Sequence, residues 1–225
     1  MLKHDSLNHR RKLLSACLWL FLFSSAFPHG GIAVSGAPIK PAATFCACCP
    51  DHGMWEQQTK VLADFEIEGL AKLKFEQKAY LHVTVASPDD IKGITLSDDD
   101  KDEFALTSAQ TARRWTLTVK AKNGESGKLI LRLPNAATFF LADVAGGPKT
   151  WAAPSSVYKE IRLAGLVQGT GIFADSVTAQ TKYRLVLQGN GGRCFDPGEF
   201  HRWNLKVSGA KADFTLYGFF SKARQ

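Results

Sequence analysis

Alternation of apolar and polar residues, repeated in short runs along most of the chain, restricts the possible folds more than any other feature. Arg114-Trp-Thr-Leu-Thr-Val119 and Tyr80-Leu-His-Val-Thr-Val85 alternate cleanly. A side-chain period of two belongs to a strand with one face on a core. Residues 61–67, 128–133, 137–141, 160–163, 183–187, 203–207 and 212–217 are further runs of strand character. Turn sequences separate them: Asn123-Gly124, Gly146-Gly147-Pro148 and Gly189-Asn-Gly-Gly192. Gly169-Thr-Gly171 reads as a bulge or bend.

No long stretch carries a helical period. The expectation is an all-β fold, an antiparallel β-sandwich or closed barrel, with one or two short helices. One helix is predicted over residues 97–104, with Ser97 as N-cap and acidic residues in the first turn. A second is predicted over residues 196–200. There Asp196 caps, Pro197 suits the first helical position and Glu199 completes a capping box.

An internal echo runs through these strands. Arg114-Trp-Thr-Leu-Thr-Val119 is matched by Arg202-Trp-Asn-Leu-Lys-Val207. Each follows a strand with a tyrosine near its start, Tyr80 or Tyr183, and precedes a turn and another strand. Two duplicated four-strand units, in halves 61–144 and 157–220, account for that order. Arg114 beside Trp115, and Arg202 beside Trp203, read as guanidinium stacked on indole. Turned outward, the same rings would grip a carbohydrate or protein partner.

The first 37 residues have the three-part grammar of a secretory signal peptide. Lys3, Arg10, Arg11 and Lys12 form a basic start, residues 13–23 an apolar run, and small residues follow. Cleavage is expected between residues 26 and 37. The apolar run is short for a bilayer-spanning helix, which takes about 20 residues. The chain is therefore expected in the periplasm or secreted, meeting a membrane only through its signal sequence. Cys17 precedes the apolar run, so it is not a lipidation site. Arg10-Arg11 resembles a twin-arginine signal only faintly.

Residues 38–60 are rich in cysteine, and residues 61–225 form the expected β domain. The stretch Phe45-Cys-Ala-Cys-Cys-Pro-Asp-His-Gly53 places Cys46, Cys48, Cys49, Asp51 and His52 within seven residues. Cys194, in a glycine-rich loop, is the distant partner available. Three chemistries fit. In an oxidising compartment the cysteines form disulfides, with Cys194 stapling the N-terminal segment to the β body. Alternatively, Cys46, Cys48, Cys49, His52 and Cys194 supply thiolate and imidazole ligands for copper or zinc, with Asp51 supporting His52. Third, Cys46-Ala-Cys-Cys49 contains the Cys-x-x-Cys spacing of thiol–disulfide exchange, but without the α/β context in which it works.

Other chemistries find little support. The formal net charge is +7, of which +3 lies in the leader, and no basic run marks a nucleic-acid surface. The acidic run at residues 98–103 lacks the glycine and ligand spacing of a calcium loop. There is no nucleophile elbow, zinc-protease helix or phosphate loop. The sequence thus points to an exported binding or structural protein rather than an enzyme, with no catalytic residues assigned.

Overall fold

The computed structural model describes residues 48–50, 53–82, 91–94, 103–143 and 156–221. Among these residues there are ten antiparallel strands: β1 Trp55–Val61, β2 Lys78–Leu81, β3 Glu103–Gln110, β4 Arg114–Lys120, β5 Ser126–Arg132, β6 Ala136–Ala142, β7 Val157–Gly171, β8 Lys182–Gly191, β9 Phe200–Ser208 and β10 Asp213–Phe219. One α-helix, α1 Asp64–Ala71, follows β1.

Eight strands close into an up-and-down barrel in the order β2-β3-β4-β5-β7-β8-β9-β10, with β10 pairing back onto β2. Closure leaves these strands without open edges among themselves. The period-two pattern decides which side faces in. Trp115, Leu117 and Val119 of β4 are buried, as are Trp203, Leu205 and Val207 of β9. Phe104, Phe173 and Phe214 join them, so packed side chains fill the interior.

β7 is long enough to serve two neighbours on one edge. Its C-terminal part, Val167 to Gly171, pairs with β5, and its N-terminal part, Tyr158 to Arg162, pairs with β6. β6 in turn carries β1. The β1–β6 pair therefore extends the sheet past the barrel wall. Gly171 ends β7 at φ +63, a conformation that favours glycine. The expected bend at Gly169-Thr-Gly171 is thus the strand's end.

The chain between β1 and β2 packs against the barrel end at which β4 and β9 begin. Ile67 and Leu70 of α1, with Leu62, Leu73 and Phe75, belong to the core. Phe75 meets both buried indoles edge-on, with centroids 5.7 Å from Trp115 and 5.3 Å from Trp203. In the closed order β4 and β9 stand four strands apart, so the two echoing Arg-Trp strands lie on opposite walls.

Several sequence expectations change. Residues 61–67 are not one strand, because β1 ends at Val61 and α1 begins at Asp64. Acidic Asp64 and Glu66 occupy the first helical turn, and the Glu66 carboxylate accepts the Ala63 N–H at 2.9 Å. Of the helix expected at 97–104, Glu103 and Phe104 are strand and the rest lies outside the described residues. Residues 197–199 form a single 3-10 turn in which Asp196 accepts the Gly198 N–H. Glu199 does not close a capping box there, because its carboxylate is engaged elsewhere. Trp115 and Trp203 face inward, so the outward aromatic grip is not made by these rings. Arg202 lies over Phe219 rather than Trp203.

Candidate functional site

The glycines at the end of β8 build the site by close approach. A Cβ on Gly189 would stand 2.1 Å from the Glu199 carbonyl oxygen, and one on Gly191 would stand 1.9 Å from Glu199 Cδ. Only glycine lets this strand end lie so close to the turn that carries Glu199. The Glu199 carboxylate then accepts the Gly192 N–H at 2.8 Å and pairs with the Lys159 ammonium. Lys159 also donates to the Cys194 carbonyl at 2.8 Å.

Lys159 is only 4 % exposed. It sits at an inward phase of β7, between Val157 and Ile161, where a strand facing a core would carry an apolar residue. Burying an ammonium is costly unless it is paired and hydrogen-bonded. Glu199 and the Cys194 carbonyl meet that need, and they tie the loop to β7.

The cysteines complete the tie. Cys48 and Cys194 are joined by a disulfide across a sequence separation of 146, with Cα atoms 4.9 Å apart. The Arg193 N–H donates to the Cys48 carbonyl at 2.8 Å. Cys49 is also disulfide-bonded. Cys46, Asp51 and His52 lie outside the described residues. Among the described residues, no group of three His, Cys, Asp or Glu side chains is placed to hold a metal ion.

Beside this bridge lies a cleft of about 380 Å³, between the β1–β6 extension, α1 and the loop that carries Cys194. Its described apolar lining comes from Phe65 of α1, Phe139 and Leu141 of β6, Ile161 of β7, and Phe195 and Phe200. Alternation along β1 turns Glu56, Gln58 and Lys60 toward it. Lys60 pairs with the buried Glu66 at 2.7 Å and lies 4.4 Å from the Phe139 ring centroid. Arg193 pairs with Glu56 at 3.4 Å. Sequence reasoning missed this cleft. The signal available was Lys159, a charge at an inward strand position.

On the outer face of β7 a second polar group forms. Glu160 accepts from Tyr158, from Gln188 at 3.2 Å and from Arg162 at 2.6 Å. Burial, then the hydrogen bond to Glu160, pushes the Tyr158 phenol up to about 12. Burial alone would raise the Glu160 carboxyl. The hydrogen bonds from Tyr158, Gln188 and Arg162, with the Arg162 charge, outweigh it and hold the group below its usual value. His82 and His201 are exposed.

No protein-family model matches the chain, and it matches no curated protein and no solved structure.

Proposed function

We propose that this chain is an exported, disulfide-stapled binding protein whose working site is the cleft beside the Cys48–Cys194 bridge. The observation that carries this reading is the position of the bridge. Cys194 lies on the cleft wall, and its loop is held by the disulfide, by Lys159 and by the Arg193 N–H. A wall fixed this way presents a preformed cavity, and preorganisation lowers the entropy lost on binding. The charged side chains around the cleft pair with one another, which favours binding over turnover.

A soft-metal reading is confined to the reduced protein. The fold brings Cys48 and Cys194 together with Cys49 beside them, so reduction would gather thiolates suited to copper or zinc. Thiol exchange at Cys46 and Cys49 has less support, because the surrounding fold is all-β. One measurement separates the readings: free thiols and metal per chain, counted in protein purified from the exported fraction without chelator. The binding reading expects no stoichiometric metal and at most one free thiol. One copper or zinc with several free thiols would replace it with a metal centre.

A further inference from the structure

The charges around the cleft are matched inside the protein. The Lys60 ammonium donates to Glu66 at 2.7 Å, Lys159 is held by Glu199, and Arg162 holds Glu160 at 2.6 Å. At the rim Arg193 faces Glu56. A charged ligand entering here would have to displace a partner already in place or lose hydration without gaining one, and either is unfavourable. Most of the remaining lining is aromatic or aliphatic: Phe65, Phe139, Leu141, Ile161, Phe195 and Phe200.

One lining side chain differs from the rest. Apart from the disulfide-bonded Cys194, Gln58 is the one uncharged polar residue among the described lining residues. It stands on β1 between Glu56 and Lys60 of the same face, and its carboxamide offers both a donor and an acceptor. The volume, about 380 Å³, falls at the lower end of the range for small-molecule sites, ~300–1,000 Å³.

We infer that the cleft takes a small uncharged molecule, mainly apolar, with one hydroxyl or carbonyl group that meets Gln58. This inference rests on the cleft being the working site. The apolar body lies against Leu141 and Phe195, and the polar group lies toward β1. Such a ligand leaves every ion pair of the cleft in place and gains from covering apolar surface.

Three probes with one carbon skeleton test it: 1-octanol, octanoate and octylammonium, each titrated into the oxidised, exported protein by heteronuclear NMR. Saturable binding of 1-octanol, with octanoate and octylammonium at least about tenfold weaker, is expected from the unmatched charge. Gln58→Leu, at an exposed strand position, should weaken 1-octanol by about fivefold, the equivalent of one neutral hydrogen bond. Leu141→Arg, which puts a charge into the apolar wall, should abolish binding while the far-ultraviolet dichroism stays unchanged. Octanoate or octylammonium binding as tightly as 1-octanol would overturn the ligand class and leave the cleft standing as a site. No saturation by any of the three would overturn the cleft reading as well. An unchanged 1-octanol affinity in Gln58→Leu would overturn the role given to Gln58. If Leu141→Arg fails to fold, chemical-shift changes confined to residues away from β1, β6 and α1 would overturn the location.

Discussion

Lys159 is the residue on which the site turns. It is an ammonium in an apolar strand position, and the two groups that satisfy it, Glu199 and the Cys194 carbonyl, both belong to the loop beyond β8. Lys159→Met fills nearly the same space but leaves the partly buried Glu199 carboxylate unpaired. A loss of about 2 kcal/mol in urea unfolding is expected, below the range for a fully buried pair because Glu199 keeps some contact with water. Stability within about 0.5 kcal/mol of the parent would show that the pair is not a tie. Tyr158 gives a second readout at this scale. Its phenol titrates at about 12 in the fold against 10.0 when unperturbed. Because the folded value is raised, the stabilisation is complete below the unfolded value and is lost as pH climbs from 10.0 towards about 12. In an ultraviolet titration Tyr158 and the buried Tyr183, which donates to the Arg132 carbonyl, should ionise late. Ionisation of all four tyrosines in one step near 10 would contradict both environments.

At the scale of elements, β7 organises the molecule. It closes the barrel through β5 and β8, then carries β6 and β1 outward to form one wall of the cleft. Its end is set by Gly171, where a Cβ would lie 2.1 Å from the Ser126 carbonyl oxygen in addition to the strain of φ +63. Gly171→Ala should lower stability by about 1–3 kcal/mol. An unchanged urea midpoint would mean that the turn relaxes freely. The same element logic explains two misread segments. Asp64-Phe-Glu-Ile67 alternates polar and apolar residues as a strand does. Ile67 and Leu70, three apart, reach the core only once the segment turns helical against the barrel end. Phe104 and Leu106 do alternate, but the acidic run before them reads locally as a helix start. Strand partners on both sides, β2 and β4, override that local preference.

For the molecule as a whole, the barrel is held by aromatic contacts that cross it. Trp115 and Trp203 stand on opposite walls, and Phe75 touches both, with Phe220 at 5.0 Å beside it. Among the described residues neither indole N–H has an acceptor, and ring packing holds the pair. Phe75→Ala should therefore loosen both walls together and cost about 3–5 kcal/mol. The two buried tryptophans should report one cooperative transition at a lower urea midpoint. A loss under about 1 kcal/mol would show that the walls are held independently of Phe75.

Alternation along the chain was enough to establish an all-β fold and most of its strands, because a period of two leaves a strand as the simplest way to bury one side of each run. That Cys194 meets the N-terminal cluster was legible too, since a lone cysteine in a glycine-rich loop had partners only there, but disulfide and metal ligation stayed equally open to the sequence. Which cysteine it joins was not legible, and neither was the choice between barrel and sandwich. Both depend on contacts between residues far apart in sequence, such as Leu216 with Leu81 and Cys48 with Cys194. The cleft belongs wholly to the tertiary level. Its walls come from β1, α1, β6, β7 and the loop after β8, and no local pattern marks surfaces that meet only after the barrel has closed.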